Sequence, residues 1–335
     1  DKIANAVEAP DPGLLRRRLA AAGDLLPVKA LLGVMAPAEV SEAEIDAYVA
    51  GYVVPAATEG EDAESGPAFL FTEVDGIRVR YARRGEPAST QLPVLFLHGF
   101  GGDLDNWLFN LDTVAAAAPV IALDLPAHGQ SDVRLPGGAA LADLAGFVLH
   151  FLDAIGVERV HAVGHSMGGA IAAQVALTTP QRVASLVLIA SAGLGPEINR
   201  GYIEGFVAAA TRRELKPVIE QLFADPGLVS RQMLDDLLKF KRLDGVSQAL
   251  TQLGEVLFGG GHQAALPLTQ LAGSKVPVTL VWGREDRIIP ATHAAQAPAG
   301  AKVQVLEGAG HMVMMEKAAD VNTLILAQVK GAAPS

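Results

Sequence analysis

The sequence contains no cysteine, few aromatic residues and fewer basic than acidic side chains. Its 335 residues are 5% aromatic, and 26 Lys and Arg stand against 37 Asp and Glu, which gives a net charge of −11. The missing cysteines exclude disulfides, thiolate metal ligands and a cysteine nucleophile. The acidic balance argues against nucleic-acid binding, because phosphate contacts need a basic surface.

Long apolar runs are also missing. No run reaches the ~18 residues that a membrane-spanning helix needs, and the N-terminus has no signal-peptide pattern. We therefore expect a cytoplasmic protein that does not enter membranes. The chain starts at Asp1 rather than at Met, which suggests that it begins within a longer product. Half of the residues are hydrophobic, so a sizeable core can be buried.

Changes in composition predict three regions. Residues 1–36 carry short apolar runs between turn signals, and residues 37–67 combine a capped helix with an acidic linker rich in Pro, Ala and Gly. Residues 68–332 alternate apolar strands with helices, a pattern typical of an α/β fold with a mostly parallel sheet covered by helices on both faces. Residues 193–270 lack strand patterns and predict a helical insertion.

The clearest chemical signal is the run Gly-His-Ser-Met-Gly at residues 164–168, between an apolar strand and a helix. A sharp strand-to-helix turn of this kind lifts a serine hydroxyl above the carboxyl edge of a sheet. Ser166 is therefore the candidate nucleophile. The amide of Met167, at the helix N-terminus, is a candidate donor to an oxyanion. An ordinary glycine-rich turn is the alternative.

A serine nucleophile needs a base, and the base needs an acid that holds its tautomer. His311 follows the last predicted strand, on the same sheet edge as Ser166. Asp286 ends the preceding strand and is the candidate acid, with its neighbour Glu285 as the rival. The chain order Ser166, Asp286, His311 is the order expected for a nucleophile on such a turn.

A second oxyanion donor is predicted in the loop at residues 97–102, where the Phe100 amide is the candidate. A plain glycine loop is the alternative. His98 and His165 adjoin motif glycines, and we expect both to be structural. Residues 124–131 predict a structural turn.

Residues 68–332 resemble the α/β-hydrolase fold family through their His-Gly-Phe, Gly-His-Ser-Met-Gly and Gly-His motifs. The resemblance implies a lid at residues 193–270. The basic residues predicted there could meet an anionic acceptor or simply form a solvated helix face: Arg212, Arg213, Lys216, Lys239, Lys241 and Arg242. The fold does not fix the reaction.

The first 36 residues resemble the C-terminal half of a lipoyl domain. In that family an Asp-Lys pair lies at a hairpin tip and the Lys carries lipoate, a place that Lys2 takes here. An unrelated Ala-rich arm is the alternative. The half-domain expected before Lys2 is absent from the sequence.

Together, these segments resemble the acyltransferase subunits of acetoin dehydrogenase complexes, a family of dihydrolipoyllysine-residue acetyltransferases. The resemblance implies lipoate on Lys2 in the intact parent protein, coenzyme A as co-substrate, a small-molecule acyl substrate, other complex subunits as partners and no metal. Two alternatives stay open. One is a hydrolase that uses the same three residues with water on an ester, thioester or C–C bond. The other is a non-catalytic scaffold, which would not require all three residues.

Overall fold

The structure is a computed structural model of the chain. It describes residues 14–19, 31–52, 69–86 and 91–331. The chain divides into two units, residues 1–66 and residues 67–335. Lys2 and the whole stretch 53–67 lie outside the described residues.

In the smaller unit, strands β1 (Leu15–Arg18) and β2 (Gly33–Met35) pair antiparallel. Helix α1 (Glu42–Gly51) follows them and begins with a capping box. In this box the Ser41 hydroxyl accepts the Glu44 amide, and the Glu44 carboxylate accepts the Ser41 amide. The assignment of this unit to half of a lipoyl domain stays a prediction.

Among the described residues of the larger unit, eight strands form one sheet. They are β3 (Phe69–Val74), β4 (Ile77–Arg84), β5 (Val94–Leu97), β6 (Val120–Leu123), β7 (Val160–His165), β8 (Val183–Ile189), β9 (Val278–Gly283) and β10 (Lys302–Leu306). Their spatial order is β10-β9-β8-β7-β5-β6-β4-β3. The pairs from β10 to β6 are parallel, and only β4 and β3 run antiparallel to their neighbours. The predicted fold class is confirmed.

Helices connect and cover these strands. They are α2 (Leu111–Ala115), α3 (Leu141–Ala154), α4 (Met167–Thr178), α5 (Arg200–Ala208), α6 (Arg212–Ile219), α7 (Arg231–Lys241), α8 (Val246–Phe258), α9 (Val313–Glu316) and α10 (Ala318–Gly331). Strands β5 to β9 are buried along their whole length, which explains their continuous apolar sequence. Within the described part of the chain, no helix is long and apolar enough to cross a bilayer.

The insertion between β8 and β9 is helical, as predicted, and contains α5 to α8. Its two ends are bonded to each other: the Ile198 amide donates to the Gly261 carbonyl, and the Gly193 amide to the Gln263 side chain at 2.6 Å. We call residues 193–270 the lid. The lid covers the carboxyl edge of the sheet, where the candidate nucleophile lies.

One expectation for the lid was wrong. Lys241 is 7% exposed, and its ammonium group donates to the backbone carbonyls of Phe206 and Ala209. Burial lowers its pKa. Lys241 therefore holds α7 against α5 and does not offer a charge to a soluble acceptor.

Candidate active site

The turn between β7 and α4 forces Ser166 into an unusual backbone conformation, with φ 51° and ψ −118°. Neighbouring chain segments approach so closely that no side chain fits on the flanking glycines. A Cβ on Gly164 would lie 2.6 Å from the Gly169 Cα, and one on Gly168 would lie 2.2 Å from the Leu97 carbonyl oxygen. The two glycines are therefore required for this turn.

Hydrogen bonds on both sides hold the strained residue in place. The Ser166 amide donates to the Ile189 carbonyl at 3.0 Å, and the Ser166 carbonyl accepts the Ala192 amide at 3.0 Å. A backbone of this kind costs on the order of 1–3 kcal/mol and persists only when its surroundings fix it. The result is a serine placed at the carboxyl end of β7, 5% exposed.

His311 and Asp286 form a buried pair. Asp286 Oδ2 lies 2.8 Å from His311 Nδ1, and Asp286 Oδ1 accepts the amides of Ile288 and Ile289 at 2.8 and 3.0 Å. Because the ionised carboxylate only accepts, the proton of a neutral His311 is held on Nδ1. Nε2 then carries a lone pair and can accept a proton.

The structure separates Asp286 from its rival Glu285. The Glu285 carboxylate accepts the Ala309 amide at 3.0 Å and so supports the loop that carries the histidine. From the other side, Glu316 accepts the Gly310 amide at 2.7 Å. We call residues 307–312, between β10 and α9, the histidine loop. Glu285 therefore lies beside the histidine loop without reaching the His311 ring.

The loop after β5 lies against the nucleophile. A Cβ on Gly99 would be 3.0 Å from the Ser166 Cβ. Within the described residues, the amides of Phe100 and Met167 donate to no protein acceptor. Met167 is also the first residue of α4, where the helix dipole favours negative charge. The two predicted donors thus flank the serine with free N–H groups.

Two buried histidines, His98 and His128, hold this loop. The sequence contains no sign of this role for His128. His128 Nε2 accepts the Gly101 amide at 3.0 Å, and His98 Nε2 accepts the Leu125 amide at 2.9 Å. Burial lowers the pKa of His98 to about 4 and that of His128 to about 3. Both rings therefore stay neutral and can accept these bonds at neutral pH.

Under the same loop lies a buried ion pair between Arg80 and Asp124. The Asp124 carboxylate also accepts the amides of Leu104 at 2.9 Å and Gln130 at 2.8 Å. The turn at residues 124–131 is thus structural, as predicted. We call residues 97–102 the glycine loop. One carboxylate thus connects β4, β6 and Leu104, which follows the glycine loop.

Asp103 follows the glycine loop and introduces a pH dependence. Its carboxylate accepts the Asp105 amide at 3.0 Å. Burial, followed by the nearby Asp124 and Asp105 carboxylates, raises the pKa of Asp103 to about 7. A carboxyl group whose pKa rises on folding stabilises the fold while it is protonated. This contribution is therefore present at low pH and is lost as the pH rises toward that value.

Asp103→Asn keeps the acceptor oxygen but cannot ionise. We expect the free energy of unfolding of the variant, relative to wild type, to increase between about pH 5 and about pH 8. Urea unfolding of both proteins at each pH measures this difference. The comparison cancels the opposite trend that the depressed pKa values of His98 and His128 impose at low pH. A pH-independent difference would contradict ionisation of Asp103 in this range.

Ser166 and His311 face one cavity of about 690 Å³, a volume that includes its open mouth. Its walls are almost entirely apolar and come from the glycine loop, the lid and the histidine loop. They carry no Lys, Arg, Asp or Glu in the described part of the chain. The Ser166 hydroxyl has no hydrogen-bond partner among the described residues. Catalytic hydrogen bonds often form only once substrate is bound.

The remaining predicted site residues do not join this cavity. Lys2, the candidate lipoyl attachment site, lies outside the described residues. In the lid, Arg212 pairs with Asp235 and Lys216 with Glu220 on exposed helix faces. Across the described ranges, no group of three or more His, Cys, Asp or Glu side chains is placed to hold a metal ion.

Residues 93–318 match the sequence profile of the alpha/beta hydrolase fold. The chain belongs to the α/β-hydrolase fold family. A solved α/β-hydrolase fold structure, the meta-cleavage product hydrolase from Pseudomonas fluorescens IP01, aligns with a TM-score of 0.70 at 20% identity. The alignment covers 78% of this chain and 98% of that one, and at this identity it supports the fold alone.

Two curated relatives extend over almost the whole chain. Both are named dihydrolipoyllysine-residue acetyltransferase component of acetoin cleaving system. The relative from Cupriavidus necator is 62% identical over 99% of this chain and 87% of its own length. The relative from Pseudomonas putida is 51% identical over 98% of this chain and 87% of its own length. The predicted kinship with these acyltransferase subunits is confirmed.

Proposed function

We propose that the protein transfers an acetyl group from dihydrolipoyl-lysine to coenzyme A through an acyl-serine on Ser166. The observation that carries the proposal is the pairing of His311 with Asp286 beside Ser166 in a covered, uncharged cavity. The high identity to acetyltransferase components supports the choice of substrates. A scaffold would need none of this geometry.

In the first half-reaction, the Ser166 hydroxyl attacks the thioester carbonyl and His311 Nε2 takes its proton. Asp286 stabilises the charged imidazole ring and keeps it oriented. The amides of Phe100 and Met167 receive the negative charge that develops on the carbonyl oxygen. Losing one such donor typically raises the barrier by about 2.7–4 kcal/mol. The C–S bond then breaks, and the leaving thiolate takes the proton from His311.

In the second half-reaction, His311 removes the proton of the coenzyme A thiol as its sulfur attacks the acyl-serine. The Ser–acyl bond breaks, and Ser166 regains the proton from His311. Water competes with the thiol for the same intermediate. The apolar wall contributed by the lid lowers water access to the acyl-serine and so favours transfer.

The donor arm fits the cavity chemically. A dihydrolipoyl group is a thin aliphatic chain without charge, and the cavity wall offers apolar side chains without charged groups. As part of the proposal, Lys2 is the attachment site for lipoate. The partners are other subunits of an acetoin dehydrogenase complex, and the location is the cytoplasm.

A partition experiment tests the reaction class. The protein is supplied with acetyl-dihydrolipoamide, with and without millimolar coenzyme A, and acetyl-CoA and free acetate are measured. We expect acetyl-CoA to dominate and its formation to follow ping-pong kinetics. The reaction without coenzyme A gives the rate of hydrolysis. Acetate as the main product, unchanged by coenzyme A, would contradict transfer and favour the hydrolase.

A further inference from the structure

The proposed chemistry assigns the two reacting groups to different parts of the catalytic cavity. His311 must give a proton to the leaving thiolate and take one from the incoming thiol, so both sulfur atoms lie on its side of Ser166. Near His311 the lining includes Leu222, Phe223, Ile288 and Met312. The acyl substituent on Ser166 must then extend toward the opposite end. This assignment rests on the proposed acyl-serine route.

Aromatic rings line the cavity around Phe100. Phe206 and Phe258 pack edge-on against Phe100, with ring centroids 5.9 and 6.2 Å away. All three side chains are at most 6% exposed. Phe100 is also the residue whose amide is proposed to hold the oxyanion. Ser166 and these rings line the same cavity, into which a substituent on the acyl-serine extends.

Phe258 differs from Phe206 because two further spaces lie behind it. One is a mostly apolar side pocket of about 260 Å³, a volume that includes its open mouth, which Phe258 borders together with Met167, Ala170 and Ala192. The other is a groove on the outside of the lid between α5 and α8, whose floor includes Ile203 and Phe258. Phe206 borders neither space. Phe258 is thus the one residue that lines both the catalytic cavity and the side pocket next to Met167, among the described residues.

The end of α8 fixes this ring. Phe258 is the last helical residue, and Gly260 and Gly261 follow with φ values of 69° and 79°. These left-handed residues turn the chain sharply away from the helix axis. The ring is therefore held at the junction by the helix end and by the Phe100 contact.

We infer that Phe258 determines acyl-chain length. Its ring closes the side pocket behind Met167 and leaves room on the acyl-serine for a short substituent such as acetyl. Without the ring, the pocket is open to the aliphatic tail of a longer acyl group. Each methylene buried there favours the longer donor by about fourfold.

The test uses p-nitrophenyl acetate, butanoate and hexanoate with wild type and Phe258→Ala. The kcat/KM for p-nitrophenol release reports acylation of Ser166 alone, independently of any acceptor. We expect the butanoate-to-acetate ratio of kcat/KM to rise by up to about sixteenfold in the variant, from two added methylenes. An unchanged ratio would overturn the inference. If Phe258→Ala does not fold, Phe258→Leu is expected to shift the ratio in the same direction by a smaller factor.

Two further variants locate the effect. Met315→Ala enlarges the His311 end, and we expect it to leave the acyl-length ratio unchanged. Adding Ala265→Leu, at the exposed rim of the side pocket, to Phe258→Ala should reverse the gain for hexanoate. A gain that survives this filling would overturn the role of the side pocket. The two proposals can fail separately. If the variants shift the ester ratios as expected but wild type does not transfer acetyl to coenzyme A, the transferase proposal is refuted and the inference about Phe258 stands.

Discussion

Ser166→Ala should abolish the acyl-enzyme and lower kcat by roughly a millionfold, the loss seen when a catalytic serine is removed. The substitution removes the atom that forms the covalent bond, while the Phe100 and Met167 amides stay in place. Only the weak catalysis of the remaining site should persist. Rapid quenching with acetyl-dihydrolipoamide, followed by intact-mass analysis, should find one acetyl group on wild type and none on the variant.

The matched control is Ser185→Ala. Ser185 is a buried serine on β8 whose hydroxyl lies 2.8 Å from His161 Nδ1, away from the catalytic cavity. Its loss should cost about 1 kcal/mol of stability and leave acylation intact. An acetylated Ser166→Ala protein formed at the wild-type rate would place the nucleophile elsewhere.

Asp124→Asn should destabilise the fold by up to about 3–5 kcal/mol, because it removes the closer of the two carboxylates that pair with the buried Arg80 and leaves only the exposed Asp105, at 3.6 Å. The side chain of Asp124 is fully buried and that of Arg80 is 4% exposed, so water cannot replace the lost carboxylate. The amides of Leu104 and Gln130 also lose a charged acceptor. Urea unfolding followed by circular dichroism measures the change.

Asp112→Asn serves as the control for charge removal at the surface. Asp112 pairs with Arg84 but is 77% exposed, and such pairs contribute at most about 1 kcal/mol.

Activity should also fall in Asp124→Asn, since Leu104 follows the glycine loop that carries Phe100. Equal stability losses in the two variants would contradict the structural role of the buried pair.

The sequence was most informative where the backbone itself imposes a residue type. Gly164 and Gly168 are required because any Cβ would meet neighbouring backbone, and that steric demand leaves a visible motif around Ser166. The parallel strands were equally predictable from the sequence, because burial on both faces of the sheet requires continuous apolar residues. The fold and the candidate catalytic residues could therefore be predicted from local patterns.

Contacts set by tertiary packing were not predictable in this way. In the sequence, Lys241 resembles any solvated cation on a helix. In the structure, its ammonium group donates to the carbonyls of Phe206, in α5, and Ala209, which caps the C-terminus of α5. His128 gives no signal of its own, because its partner, the Gly101 amide, is 27 residues away. The sequence also predicts a single helix around residues 105–117, where the structure has a 3-10 turn at Leu104–Trp107 followed by the short helix α2.

The bonds between the lid and the histidine loop have a consequence for timing. The Leu222 carbonyl accepts the amides of both His311 and Met312, and the Glu316 carboxylate joins the Ala224 amide to the Gly310 amide. Any displacement of this part of the lid must therefore disturb the backbone that aims the general base. The position of His311 and the closure of the cavity by the lid are therefore coupled. In the proposed reaction, an acyl-serine exposed to water by such a displacement would also lose the base that activates the water, which would slow its hydrolysis.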